Sequence, residues 1–216
     1  MTREEYSLKS HELSGERKYK DALFMAEKAV ELDALPGDRV QLAICCQHTG
    51  DTKRAISLLL EVTSCKNDSD VTYFLAQAYE ADQQFDKAIA EHTKLLSDAE
   101  LGEEARNGIA FCELKKGSYV SGWIKHEKRL IGFEYEKILA KDISGLQSPI
   151  LLLYEQGEGD AIQFSRYLNA PFLKTKQIFF AGPYNLKRLF EHNFDNVIFY
   201  CMGIDANIPR LNRWQR

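Results

Sequence analysis

The sequence has no long apolar run and no residue pattern typical of a secreted or membrane protein. Its longest apolar stretch, residues 149–154, is far shorter than the about 20 residues that cross a bilayer. Residues 1–5 are charged and lack the apolar core of a signal peptide. Five cysteines form an odd set without the spacing of a disulfide framework. These absences predict a cytoplasmic protein with free thiols and no membrane span.

The chain also lacks an excess of positive charge and the motifs of common catalytic sites. Its 28 Lys and Arg against 32 Asp and Glu give a formal net charge of −4. Nucleic-acid backbones must be neutralised by clustered cations, so nothing in the composition favours a nucleic-acid partner. The sequence contains no Walker loop, no His-Glu-x-x-His zinc motif and no recognisable Ser-His-Asp set. We therefore expect neither a cofactor nor a metal.

The first half of the chain contains a repeat with a period of 33 or 34 residues. Similar segments end in a small residue at Ala22, Ala55, Ala88 and Gly122, spaced by 33, 33 and 34 residues. Each unit has two stretches with apolar residues at helical spacing, separated by a turn. A single helical hairpin cannot bury both of its faces, so neighbouring hairpins must stack.

Small and large residues recur at fixed places within this repeat. The first helix of a unit carries Ala43, Ala76 or Ala110, where its partner helix crosses closely. The second helix begins with the small residues given above, and three places earlier a large side chain is expected to plug the hairpin. These large side chains are Tyr19, Phe85 and Tyr119, whereas the second unit has Thr52.

The same regularity accounts for groups of residues that might otherwise suggest a metal site. Cys45 and Cys46 are adjacent, so on a helix their side chains diverge by about 100°. No Cys-x-x-Cys pair accompanies them or the more distant Cys65, which predicts buried packing thiols. His92 and His126 are 34 residues apart and occupy the same place in successive units, which also predicts a packing role.

These features resemble the tetratricopeptide repeat (TPR) family. The matching residues are the turns at Gly50-Asp51 and Gly117-Ser118, the recurring small residues, and residues 26–33 (AEKAVELD). Lys9 and Ser10 depart from the pattern, which predicts a polar cap in the first unit. We therefore predict a helical solenoid of about four hairpins over residues 1–133. A plain antiparallel helical bundle is the alternative.

The resemblance implies a concave groove, lined by the first helices, that receives a peptide or protein segment. Candidate groove residues are Arg39, Thr72 and Arg106, which share one position of the repeat. Solvated surface side chains would give the same pattern, so the sequence leaves both interpretations open.

The pattern changes over residues 134–216, which we predict to be a second domain. Residues 149–154 are a continuous apolar run, as expected for a strand covered on both faces. Further strands are predicted at 177–181 and 196–200, with helices at 161–168 and 185–190 between them. The alternation predicts a small, incomplete Rossmann-like parallel sheet, so the fold class is α plus α/β.

The turn after the first predicted strand contains Gly157, Gly159 and Asp160. Glycines allow a sharp turn and close approach to a ligand, and the free N–H groups of the next helix favour an anion. The motif is not a full Gly-x-Gly-x-x-Gly fingerprint, and many glycine turns are purely structural.

Residues 155–167 (EQGEGDAIQFSRY) resemble bacterial TPR proteins with a glycosyltransferase domain, relatives of O-GlcNAc transferases and heptosyltransferases. Residues 117–123 (GSYVSGW) and 127–129 (EKR) match, in order, the motifs that precede this domain. The resemblance implies a GT-B architecture in which Asp160 is the general base on an acceptor hydroxyl. By the same resemblance the ligand-binding residues are Gln156, Gly157, Gly159, Gln163 and Arg166.

The sequence stops at Arg216, before the donor half of such an enzyme. We therefore expect an interaction scaffold with a partner in its groove and no turnover of its own. The alternative is a glycosyltransferase component that binds a nucleotide sugar only with a completing domain. Self-association through an uncovered sheet edge is left open.

Overall fold

The computed structural model describes residues 1–65, 68–130, 145–154 and 157–201. Contacts within the chain divide it into two compact units, Met1–Glu136 and Lys137–Arg216. Each unit is described by itself below.

The first unit is built from helices that pack in sequence as antiparallel hairpins. α1 packs on α2, α3 on α4, α5 on α6 and α7 on α8, and each hairpin also packs on the next. The prediction of four hairpins is confirmed. Among the described residues, no helix is long and apolar enough to cross a membrane. The helices are α1 (Arg3–Gly15), α2 (Tyr19–Leu32), α3 (Pro36–Thr49), α4 (Thr52–Cys65), α5 (Ser69–Ala81), α6 (Phe85–Lys94), α7 (Gly102–Lys116) and α8 (Tyr119–His126).

The recurring small residues lie where the helices of a hairpin cross. All of the alanines predicted for these places are fully buried, which confirms the prediction. Gly122 is buried too, and a Cβ added there would lie 2.8 Å from Cγ and Cδ2 of Leu114. Glycine therefore occupies the alanine position of the fourth hairpin because Leu114 fills the space of a methyl group.

The thiols belong to the same core. Cys45, Cys46 and Cys112 are completely buried, as predicted for packing residues. Burial raises the pKa of the Cys46 thiol to about 11 and that of Cys112 to about 12, because a thiolate would be poorly solvated there. These cysteines therefore pack as small apolar side chains.

The predicted aromatic plugs behave differently from one hairpin to the next. Tyr19 stacks on His48 with ring centroids 3.9 Å apart, and Phe85 packs against the buried core. Tyr119 is 64% exposed, so the prediction that it plugs the fourth hairpin is wrong. In the second hairpin, the Thr52 hydroxyl instead donates a hydrogen bond of 2.6 Å to Asp82.

A left-handed backbone conformation recurs at the turn inside each hairpin. The φ angles are 59° at Arg17, 96° at Gly50, 60° at Gln83 and 92° at Gly117. Only glycine adopts this region without a steric penalty, so two turns have the favoured residue and two do not.

We expect Gly50→Ala to lower the free energy of unfolding by about 1 kcal/mol, because alanine must then adopt the left-handed conformation. A Cβ at Gly50 would meet no atom within 4 Å, so the loss would come from the backbone alone. Gln83→Ala is the matched control and should be nearly neutral, since glutamine already has a Cβ. Urea unfolding of both variants measures this, and equal losses would contradict the prediction.

The second unit contains a three-stranded parallel sheet in the order β1-β2-β3, which confirms the predicted strands. Ile150 pairs with Ile178, and Ile178 pairs with Val197. A 3-10 turn, Arg166–Asn169, lies between α9 and α10. The elements are β1 (Ile150–Leu153), α9 (Glu158–Ser165), α10 (Pro171–Lys174), β2 (Ile178–Gly182), α11 (Tyr184–Asn193) and β3 (Val197–Cys201).

One face of this sheet is covered by helices and the other is not, within the described residues. Phe180 and Phe199 pack against Phe190 of α11 on the covered face. On the other face Leu153 and Ile198 are exposed. Both crossovers run in the same direction, and right-handed crossovers then place their helices on the same face. The expectation that residues 149–154 are covered on both faces is therefore wrong here, and a Rossmann-like arrangement is not confirmed.

Candidate functional site

The first helices of the hairpins line the inner side of the solenoid. α1 contacts α3, α3 contacts α5 and α5 contacts α7, more extensively than the second helices contact one another. In a curved stack, the helices that approach one another lie on the concave side. The surface formed by α3, α5 and α7 is therefore the candidate binding surface of this unit.

Each of these helices presents one accessible stripe between buried residues. On α3, for example, Gln41 to Ala43 and Cys45 to Cys46 are buried, whereas positions 40, 44 and 47 are partly exposed. Glu80 and Lys115 form an ion pair of 2.6 Å between α5 and α7, so neighbouring stripes adjoin. We call this surface the inner stripe; it comprises Val40, Ile44, Gln47, Tyr73, Gln77, Glu80, Asn107, Phe111 and Lys115.

Three primary amides lie on the inner stripe, one on each helix. Gln47, Gln77 and Asn107 are half-buried, and none has a hydrogen-bond partner among the residues that the structure describes. They are 30 residues apart, whereas the repeat is 33 or 34, so each amide lies one turn earlier on its helix than the last. The amides therefore form a diagonal row, and each can donate and accept hydrogen bonds.

Apolar side chains flank this row of amides. Val40 and Ile44 are half-buried on α3, and Phe111 of α7 is 43% exposed. The Tyr73 ring meets His92 edge-on with centroids 5.8 Å apart, which holds the tyrosine in place. The inner stripe thus combines amide groups with fixed apolar surface.

The residues predicted for the groove lie one position before this stripe. Arg39 donates a hydrogen bond of 3.0 Å to Glu61 on α4, and Arg106 is exposed with Nη1 3.5 Å from the Leu96 carbonyl oxygen. Thr72 is buried, and its hydroxyl donates to the Asp68 carbonyl of its own helix turn. A role of these three side chains in binding stays a prediction that their contacts do not support.

The sequence did contain a signal for the inner stripe. The buried alanine of each first helix fixes the side that faces the partner helix. Residues three before and one after that alanine then point toward the concave side. For Ala76 these are Tyr73 and Gln77, which the sequence analysis did not single out.

The glycine turn of the second unit has a structural explanation. The Asp160 carboxylate accepts a hydrogen bond of 3.3 Å from the Gly157 N–H and so caps the start of α9. Gly157 has φ −91°, and Gly159 does not adopt positive φ either, so the turn does not require glycine. The neighbouring Glu158 accepts a hydrogen bond from Asn185 at the start of α11.

The other predicted ligand residues of this unit are not brought into one cluster. Gln163 and Arg166 are exposed, and the Arg166 guanidinium lies over the Tyr167 ring, 5.0 Å from its centroid. Gln156 lies outside the described residues. Among the described residues, no group of His, Cys, Asp and Glu is arranged to hold a metal ion. Roles for these residues and for Asp160 in catalysis or binding stay predictions.

Comparison with known proteins places the fold of the first unit. The family model of the anaphase-promoting complex, cyclosome, subunit 3 matches residues 15–94. None of the curated proteins compared with the chain matches it.

Solved structures similar to this chain share its helical part. MamA MSR-1 C2 is 19% identical, with 59% of this chain and 75% of that chain covered and a TM-score of 0.51. MamA 41-end from Desulfovibrio magneticus RS-1 is 18% identical, with 59% and 73% covered and a TM-score of 0.53. YrrB, a TPR protein with an unusual peptide-binding site, is 19% identical, with 57% and 66% covered and a TM-score of 0.46. At such identities the similarity shows the fold alone: α1–α8 form a tetratricopeptide-like helical solenoid.

Proposed function

We propose that the inner stripe binds an extended peptide segment of a partner protein. The observation that carries this proposal is the diagonal row of Gln47, Gln77 and Asn107, half-buried amides without a partner among the described residues. A half-buried amide without a partner has lost part of its hydration and gains from a ligand that supplies both a donor and an acceptor. The main chain of an extended peptide supplies both at every residue.

The spacing of the row fits an extended chain. Neighbouring packed helices lie about 10 Å apart, and one helical turn adds about 5.4 Å along the axis. Consecutive amides are therefore about 11 Å apart along the diagonal, which about three residues of extended peptide span at about 3.3 Å each. Every third peptide unit could then meet an amide, while Tyr73 and Phe111 contact the side chains between them.

The glycosyltransferase alternative is not favoured by any feature of the described residues. The Asp160 carboxylate is engaged by the backbone of its own turn, and the sheet has helices on one face only. The similarities reported above include no glycosyltransferase. We therefore propose the scaffold function, with a peptide or protein as partner, and assign no reaction to the chain.

An array of 12-residue peptides of random sequence tests the proposal, with the best binder then measured by fluorescence anisotropy. We expect micromolar binding that Gln77→Ala and Asn107→Ala each weaken about 5- to 10-fold, the usual effect of one lost hydrogen bond. Asn169→Ala, an exposed amide in the second unit, is the matched control and should leave binding unchanged.

Methylating the peptide's own main-chain nitrogens distinguishes the mode of binding. If the amides read the main chain, methylation at every third position should abolish binding, whereas side-chain changes there should have small effects. No binding by any peptide at about 100 µM, or equal losses in the Asn169 control, would overturn the proposal.

A further inference from the structure

The last helix of the solenoid has an exposed apolar face. Tyr119 is 64% exposed, Val120 80%, Trp123 49% and Ile124 62%. They lie at i, i+1, i+4 and i+5, so all four are on one side of α8. We call these four residues the terminal face. Apolar side chains clustered in this way are typical of an interaction surface.

The equivalent faces of the earlier second helices are covered. α3 packs on α2, α5 on α4 and α7 on α6, whereas no helix among the described residues packs on α8 in this way. Trp123 occupies the repeat position of Leu23, Ile56 and Ile89, which all contribute to the buried core. The terminal face is therefore the hairpin-stacking surface of the fourth unit without its occupant.

The terminal face is also more apolar than stacking within the chain requires. Val120 occupies the repeat position of Lys20, Lys53 and Asp86, all of them exposed and charged. A following hairpin would leave this position in water, as it does in the earlier units. A valine here indicates that the occupant covers more of the helix than a stacked hairpin does.

Charge favours a second copy that meets this face with its own terminal face. The nearby Lys125 is paired with Glu113, and Lys116 with Asp86, so the terminal face presents no charged side chain of its own. At the other end, the α1 residues Glu5 and Glu12 are exposed and charged, so head-to-tail stacking of copies would bury unpaired charge. Face-to-face contact of two terminal faces avoids this cost and closes after two copies.

We propose that the chain forms a two-fold symmetric dimer in which α8 of one copy packs on α8 of the other. The contact buries Tyr119, Val120, Trp123 and Ile124 of both copies and leaves the inner stripe free. Dimerisation is therefore independent of peptide binding, and each copy keeps its own groove.

Sedimentation equilibrium of the full chain with Val120→Lys tests the proposal. Because Val120 is 80% exposed, lysine is tolerated in the separate chain, but in the dimer it places a charge in the apolar contact. We expect a dimer for the natural chain at about 100 µM and a dissociation constant at least about 10-fold higher for the variant. Ile124→Lys should have the same effect.

Leu8→Lys is the matched control, because Leu8 is an equally exposed apolar residue (72%) at the opposite end of the solenoid. It should leave the dimer intact. Three results would overturn the proposal: a monomeric natural chain at about 100 µM, an unchanged dimer in both α8 variants, or equal dissociation by Leu8→Lys. Circular dichroism of each variant confirms that the helices are retained.

Discussion

Gly108→Ala is expected to lower the free energy of unfolding by about 2–3 kcal/mol, the largest effect of any single methyl group that we predict. A Cβ added at Gly108 of α7 would lie 2.3 Å from Nε2 and 2.5 Å from Cε1 of His92 on α6. The imidazole is only 1% exposed and lies against the Tyr73 ring, so it has no free space to move into. The methyl group must therefore separate α6 from α7.

Gly37→Ala is the matched control, because Gly37 also lies in a first helix but a Cβ there would meet no atom within 4 Å. It should be neutral or stabilise the chain by up to about 0.5 kcal/mol, since alanine is the better helix former. Urea unfolding of both variants measures the contrast. A loss at Gly108 no larger than at Gly37 would show that the helix pair yields easily.

A double variant separates overpacking from loss of helix flexibility. If the imidazole is the obstacle, His92→Ala should recover part of the stability lost in Gly108→Ala, although each change alone destabilises the chain. Additive losses would contradict this explanation.

The pair also illustrates what the sequence could and could not predict. Repeat spacing predicted His92 as a packing residue, and its burial confirms this. Nothing in the sequence indicated that Gly108 makes room for it, because the two residues lie in different hairpins. Contacts between hairpins depend on how the units stack, which the 33-residue period does not specify.

The same limit applies to the candidate site. The recurring alanines were predicted correctly because close helix crossing requires a small residue in every unit. Groove residues have no such requirement, and choosing Arg39, Thr72 and Arg106 from their shared position placed them one residue away from the inner stripe. Tyr119 was misassigned for a related reason: an aromatic residue at the plug position is buried only where the next hairpin covers it.

In the second unit, the strands were predictable from apolar runs bounded by turns, but their environment was not. A run such as residues 149–154 is expected to be covered on both faces of a parallel sheet. The second face acquires helices only if a crossover changes direction, which depends on strand order. The sheet order β1-β2-β3 keeps both helices on one face, and the sequence contains no local signal for that order.

Acidification from pH 7.5 to pH 5 should remove up to about 2 kcal/mol of stability through His92. Neither imidazole nitrogen has a hydrogen-bond partner among the described residues, and burial lowers the pKa of His92 below its ordinary value of 6.5. Glu80 opposes this shift only in part. Below pH 6.5 the unfolded chain binds a proton that the folded chain resists, so stability falls as the pH decreases toward the folded-state pKa.

The carboxylates do not obscure this pH window. Hydrogen bonds lower the pKa values of Asp82 and Asp98, first from Thr52 and Ser69 respectively, so their stabilising contribution is lost only below pH 3.8. Urea unfolding between pH 7.5 and 5 therefore reports on histidines. His92→Leu should reduce the pH dependence, whereas the exposed His11→Leu should not. If the natural chain and His92→Leu lose the same stability, the buried imidazole accepts its proton in the folded state, and α6 and α7 must open enough to hydrate it.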